Sequence, residues 1–203
     1  METKTKKFKR DILNWYNNNK RDYSWRETND PWKILLLETI SQQTQLDRAD
    51  TYFKLFIEEF PSPATMASSS LKKVLILWSG LGYNNRARRL YESSRILSEK
   101  GFDELYPKFD VLPGVGPYTN NAILSFAYGE KVITRDVNVD RVFSRYFGLN
   151  NVENFVHNNK QPLLNRVSSR DLNQAIMDFG SMVCKSKNWI SENLSEDAAV
   201  EGE

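Results

Sequence analysis

The 203-residue chain contains one cysteine and one histidine. Cys184 alone cannot build an internal disulfide framework. It also excludes a zinc or iron–sulfur site assembled mainly from cysteine thiolates of this chain. No apolar run approaches the roughly 18 residues that a membrane span needs. The N-terminal METKTKKFKR is basic, with no hydrophobic segment behind it, so a secretory signal is not expected. Sustained period-2 alternation is missing; KVIT at 131–134 is the only short β-like run. These absences point to a reduced, cytoplasmic globular protein that does not engage a membrane. What is present suffices for a core: 40% of residues are hydrophobic and 12% aromatic, which excludes global disorder. The length fits one domain or two small ones.

Net charge is only +2, but it is unevenly placed. Residues 192–203 carry five acids and no base, which leaves 28 basic against 21 acidic residues in the rest, or +7. The bases cluster at Lys4, Lys6, Lys7, Lys9 and Arg10; at Arg86, Arg88 and Arg89; and at Arg135, Arg141 and Arg145. A basic body with an acidic tail fits a polyanion-binding surface, and solvated helix faces give the same pattern.

The hydrophobic periodicity is helical. Leu46, Ala49, Phe53, Phe56 and Phe60 repeat at three and four residues; Val139, Val142, Phe143 and Tyr146 do likewise, as do Leu172, Ala175, Ile176, Phe179 and Val183. The expectation is an all-α fold of roughly eight to ten short helices. Asp30 and Pro31 read as an N-cap and first helical residue, while PSP, GLG, Gly101, PGVGP and Gly129 separate helices. Asn150–Asn159 reads as loop, with His157 as a plain surface residue within it. Residues 23–130 form the most continuous helical array; 1–22 and 131–190 are expected to pack as a second lobe, with 191–203 a disordered acidic tail.

Three places could carry chemistry. Glu38 follows the apolar run Ile34–Leu37 and precedes Ile40. Burial there would disfavour its charged form and suit it to act as a general acid, unless it turns to water or joins a salt bridge. Asp136, in VITRDVNVDRV, opens a helix, where a carboxylate gains from backbone amides and the helix dipole; a plain N-cap would look the same. One carboxyl placed to be protonated and another to be charged is the division of labour of glycosidic cleavage. In LPGVGPYT (112–119), Gly114 and Gly116 permit close backbone approach, so successive N–H groups can form an anion-binding nest. The segment is neither a dinucleotide fingerprint nor a Walker loop, since Thr119 takes the third glycine position and no Gly-Lys-Ser/Thr follows.

Together, LPGVGPYT with AILSFAYG and the aspartate about twenty residues on resemble the helix-hairpin-helix/Gly-Pro-Asp signature of base-excision DNA glycosylases, with the hairpin at about 105–128. ETISQQTQ, WSGLGYNNRARRL, SWRETNDPWKILLLE and LNQAIMDFGSMVC are similar, in order, to segments of the MutY-type adenine glycosylases of that superfamily. The resemblance implies a two-lobed helical fold with its active site in the cleft between lobes, a duplex with a mismatched or damaged base pair as partner, and a monomer. It implies that Glu38 protonates the departing purine, that Asp136 stabilises the oxocarbenium-like sugar, and that Tyr118 and Asn138 assist. Arg26, Ser41 and Gln174 would line the base pocket. Gln43 and Tyr83 would wedge into the stack. The backbone of Gly114, Val115 and Gly116, with Arg86 and Arg88, would hold phosphates, and an alkali cation (K+ or Na+) would sit on the Leu112 and Val115 backbone. A duplex base must be extruded to be reached, which explains the need for wedge residues. Tyr118 stands where bifunctional relatives carry a Schiff-base lysine, which implies a monofunctional enzyme.

Four departures accompany the resemblance. Only Cys184 of the four cluster cysteines is present, so no iron–sulfur cluster is expected, and Lys185 and Lys187 would replace the phosphate contacts of that loop. The chain stops where a Nudix-like, 8-oxoguanine-reading domain begins in many relatives. Ser41 replaces an apolar pocket residue. Val137 replaces a glycine and is expected to shift the Asp136 carboxylate. The function implied is excision of adenine opposite 8-oxoguanine or guanine. Removal of thymine or uracil from guanine mismatches is one alternative, and a non-catalytic DNA-binding module is another.

Overall fold

The computed structural model describes residues 3–185. The expected acidic tail at 191–203 and Lys187 lie outside the described residues. In chain order the helices are α1 (Lys4–Asn19), α2 (Pro31–Ser41), α3 (Leu46–Glu59), α4 (Pro63–Ala67), α5 (Leu71–Leu77), α6 (Asn85–Leu105), α7 (Pro117–Phe126), α8 (Val137–Phe147), α9 (Val152–Leu164) and α10 (Ser169–Met182), with a 3-10 turn at Phe109–Val111. There is no strand among the described residues, and KVIT runs as irregular chain. The all-α expectation holds. No helix among them is long and apolar enough to cross a membrane.

The chain divides into two compact units: a central one, Tyr23–Tyr128, and a terminal one, Met1–Asp22 with Gly129–Glu203. The central unit is organised around α2, which packs against α3, α6 and α7. Asp30 caps α2 by accepting from the Trp32 and Lys33 amides, and Pro31 supplies its first turn. Every residue from Ile34 to Ile40 is buried, so α2 is apolar almost all round, the pattern of a helix surrounded by others. Phe53, Phe56, Phe60 and Trp78 fill one side, with Phe56 edge-on to Trp78 at 5.6 Å, and the Trp32 indole N–H donates to the Phe60 carbonyl at 2.9 Å. Gly101, at φ 76°, breaks the α6 spiral, a conformation that costs a side-chain-bearing residue far more.

In the terminal unit α1 packs on α9 and α10, and α8 on α9 and α10. Phe8, Ile12, Val139, Phe143, Leu163, Ile176 and Phe179 form its core, and Cys184 is buried there. The expectation of loop at Asn150–Asn159 is corrected: α9 occupies it. Asn151 caps the helix through the Asn154 amide at 2.9 Å, and Val152, Phe155, Val156, Leu163 and Leu164 form a broken apolar face that intervening asparagines hide in the sequence. His157 is exposed, but on this helix.

Candidate active site

Glu38 sits in the last turns of α2 and is 6% exposed, a consequence of the apolar ring of neighbours that the helix brings with it. Ser41, at the end of the same helix, is half-buried and bonds back to the Glu38 carbonyl at 3.3 Å, so its hydroxyl is occupied within its own turn. Arg26 is also buried. Its guanidinium lies over the Trp25 ring at 4.9 Å and the Tyr23 ring at 5.9 Å, and those two rings stack at 5.2 Å. Tyr23 and Ser24 donate to Asp47 and Asp50, which ties this strap to α3. Although desolvation opposes it, hydrogen bonds from Lys54 and Ser24 hold the Asp50 carboxyl below its ordinary value.

In the terminal unit Asp136 is the N-cap of α8. Its Oδ1 accepts from the Asn138 and Val139 amides at 2.9 and 2.8 Å, and its Oδ2 accepts from the Asn138 side-chain Nδ2 at 2.9 Å. Both oxygens are thereby aimed. Val137 is the first helical residue, with its side chain 76% exposed, and the capping bonds form beside it. An N1 position has ordinary helical φ and does not need glycine, so valine at this position is compatible with the cap.

A second layer stands behind the carboxylate. Asn138 Oδ1 accepts from Arg141 Nη2 at 2.7 Å, and the same guanidinium donates to the Gly180 carbonyl at 2.7 Å and the Cys184 carbonyl at 2.6 Å. Gly180 lets α10 approach: a Cβ there would stand 2.9 Å from Asn138 Cβ. Arg145 adds bonds to the Lys185 carbonyl and the Cys184 thiol, and Arg135 pairs with Asp140 at 2.9 and 3.0 Å. The charge pattern left open whether Arg135, Arg141 and Arg145 face a polyanion or solvent; their guanidinium groups bond to partners within the unit. Asn138, three residues before Arg141 on the same helix face, signals only the first of these contacts, and the Gly180 and Cys184 carbonyls have no local sequence signal. Gln174, also buried, has its Oε1 held by the Tyr16 hydroxyl at 2.7 Å, a partner with no sequence signal across 158 positions.

The hairpin runs from the 3-10 turn to α7. Gly114, at φ 84°, lies against the Arg89 side chain, which a Cβ would meet at 3.2 Å. Ser93 donates to the Pro113 carbonyl at 2.9 Å, and the Val115 amide to the Leu112 carbonyl at 3.1 Å. Gly116 begins α7 without a side-chain cap, and Pro117 has no N–H, so the cradle at this helix start is backbone alone. Tyr118 is half-buried in its first turn. Gln43 and Tyr83 both project outward, Tyr83 68% exposed, and with Asn84 and Arg89 they line a concavity of about 780 Å3. Arg88 and Arg89 are exposed. Arg86 is not: its guanidinium meets five backbone carbonyls, and burial pushes it down from the ordinary arginine value. Its expected phosphate role is corrected, because those donors are spent on the protein's own backbone.

Residues 37–161, more than half of the chain, match the family model of the HhH-GPD superfamily base excision DNA repair proteins. An adenine DNA glycosylase of Buchnera aphidicola subsp. Baizongia pistaciae is 34% identical over 189 residues, covering 89% of this chain and 54% of that protein. An adenine DNA glycosylase of Rattus norvegicus is 35% identical over 195 residues, covering 87% of this chain and 38% of that protein. The chain thus spans about half the length of the first of these relatives and 38% of the second. A solved thermostable thymine-DNA glycosylase superposes with a TM-score of 0.83 at 26% identity, covering 95% of this chain and 93% of that one.

Proposed function

Because the chain belongs to the HhH-GPD superfamily of base excision DNA repair proteins, we propose that it is a monofunctional DNA glycosylase that hydrolyses the N-glycosidic bond of adenine mispaired with 8-oxoguanine or guanine. One contrast carries the reading: Glu38 is withdrawn from water, while both oxygens of Asp136 are held by amide donors. A withdrawn carboxyl suits proton donation, and an aimed carboxylate suits a developing positive sugar. The base is extruded and Glu38 gives its proton to the purine. The C1′–N bond then breaks with its electron pair leaving on the base, and Asp136 stabilises the sugar cation until water adds to C1′ and releases its proton to solvent. Tyr118 and Asn138 support the two carboxylates, Arg26, Ser41 and Gln174 face the base, and Gln43 and Tyr83 fill the gap.

The hairpin backbone from Leu112 to Gly116, with Arg88, would grip phosphates. The Leu112 and Val115 backbone would hold a K+ or Na+ ion, which would supply positive charge beside a phosphate. The one cysteine of the sequence does not fit an iron–sulfur cluster, and no step depends on one. The proposed setting is the cytoplasm, at the nucleoid in a prokaryote, with the chain acting as a monomer.

One observation favours a second reading: the superposition on a thymine-DNA glycosylase makes thymine or uracil opposite guanine the competing substrate. The test of the acid–cation pair is substitution. Glu38→Gln and Asp136→Asn each abolish base release while mismatch binding stays within about tenfold. Wild-type rates from either variant overturn the assignment.

A further inference from the structure

Among the described residues only three other than glycine have left-handed φ: Gln43 at 55°, Tyr83 at 48° and Arg166 at 59°. Two of these are the wedge residues. L-amino acids avoid this conformation, so surrounding contacts must enforce it. Those contacts converge on one side chain. Arg86 Nη1 donates to the carbonyls of Thr39, Ile40 and Gln42 at 3.0, 3.2 and 2.5 Å, and Nη2 to those of Leu81 and Gly82 at 3.1 and 3.3 Å. Gln42 immediately precedes Gln43, and Gly82 immediately precedes Tyr83. The guanidinium also lies over the Trp78 ring at 5.0 Å and the Tyr83 ring at 5.7 Å, and its Nε is buried with no hydrogen-bond partner. A cation at the carbonyl end of α2 is favoured by the helix dipole, and a planar fork can serve two turns at once where a lysine reaches fewer acceptors.

We propose that Arg86 is the positioning residue of the wedge: it ties the turn after α2 to the turn before α6 and holds Gln43 and Tyr83 ready to insert into the duplex. The insertion rests on the glycosylase reading; the brace itself rests on contacts within the central unit. A wedge that must enter a stack gains from being ordered beforehand, since ordering it on insertion would cost entropy at that moment. Arg86 therefore acts through Gln43 and Tyr83 and touches no phosphate.

The experiment is a mutant cycle on a duplex carrying 2-aminopurine beside the target base, whose fluorescence reports unstacking, with single-turnover base release and salt-titrated affinity measured in parallel. Arg86→Lys is expected to reduce unstacking and base release about tenfold or more, while the slope of log affinity against log salt is unchanged. Adding Arg86→Lys to a chain that already carries Gln43→Ala and Tyr83→Ala should cost no more than about a further twofold, because a residue that acts through the wedge has nothing left to position. Multiplicative losses, or a slope reduced by about 0.9 as for a lost phosphate contact, overturn the proposal. Should Arg86→Lys fail to fold, the strain is read in the wild-type background: Gln43→Gly melts above Gln43→Ala, and equal melting temperatures overturn it. If the wild-type chain releases no base from any duplex, the glycosylase reading fails, while the salt slope and fluorescence still judge the brace.

Discussion

At the scale of single residues, the carboxylate of Asp136 is the end of a relay. Asn138 holds it, Arg141 holds Asn138, and the carbonyls of Gly180 and Cys184 hold Arg141. A displacement of about 1 Å at such a group costs on the order of 100-fold in rate, so Arg141→Met should reduce single-turnover base release by about 10–100-fold with DNA affinity retained. Unchanged turnover in that variant would show that Asp136 is held by its own cap alone. Tyr118 and Lys131 bear on a different outcome. The residue in the lysine position is a tyrosine, and Lys131 Nζ is bonded to the Val167 carbonyl, so borohydride should trap no protein–DNA adduct and abasic strands should stay intact. An adduct in high yield would reveal an amine nucleophile elsewhere. The burial of Glu38, the N-cap at Asp136 and the turn at the hairpin glycines were legible in the sequence because each sits beside an apolar run or a turn signal. Arg141 and Tyr16 were not, because their partners are distant in the chain: the Gly180 carbonyl lies 39 positions on from Arg141 and Gln174 lies 158 from Tyr16.

At the scale of elements, α2 declared itself through Asp30, Pro31 and an unbroken apolar run. The α9 helix did not, because its cap is an asparagine among asparagines and its apolar residues are spaced unevenly. That cap is testable: Asn151→Ala removes the bond to the Asn154 amide and should destabilise the protein by about 1 kcal/mol in denaturant titration, with base release unaffected. Contact between α8 and α10 depends on Gly180. Its replacement by alanine puts a methyl group 2.9 Å from Asn138 Cβ and 3.1 Å from the Asn138 carbonyl oxygen. The expected cost is about 1–3 kcal/mol of stability together with slower base release, since the displaced residue is the one that aims Asp136. The strap before α2 is pH-sensitive in a defined direction. Asp50 has a lowered folded value, so its contribution is present above the unfolded carboxyl value of about 3.9 and is lost as pH falls through the folded one. Asp50→Asn should therefore flatten the fall in melting temperature over that acid range, and an unaltered fall would assign the acid sensitivity to other carboxylates.

At the scale of the whole molecule, the helical class followed from periodicity, whereas the distribution of charge fits a polyanion surface and solvated helix faces alike and decided little. Of three basic clusters, the one at Arg135, Arg141 and Arg145 serves internal structure, and Arg86 leaves the second cluster for the same reason. That leaves Arg88 and Arg89 as the exposed cations of the second cluster. Each, changed to glutamine, should reduce the salt slope of DNA binding by about 0.9, equally for matched and mismatched duplexes, because phosphate contacts carry no sequence information. The central claim concerns the base that is released. Its most direct test is single-turnover incubation of the chain with duplexes containing A:8-oxoguanine, A:G, T:G or U:G, followed by alkali to cleave at abasic sites. Cleavage at adenine in the first two and intact strands in the last two are expected; release of thymine or uracil with adenine left in place would contradict the adenine assignment.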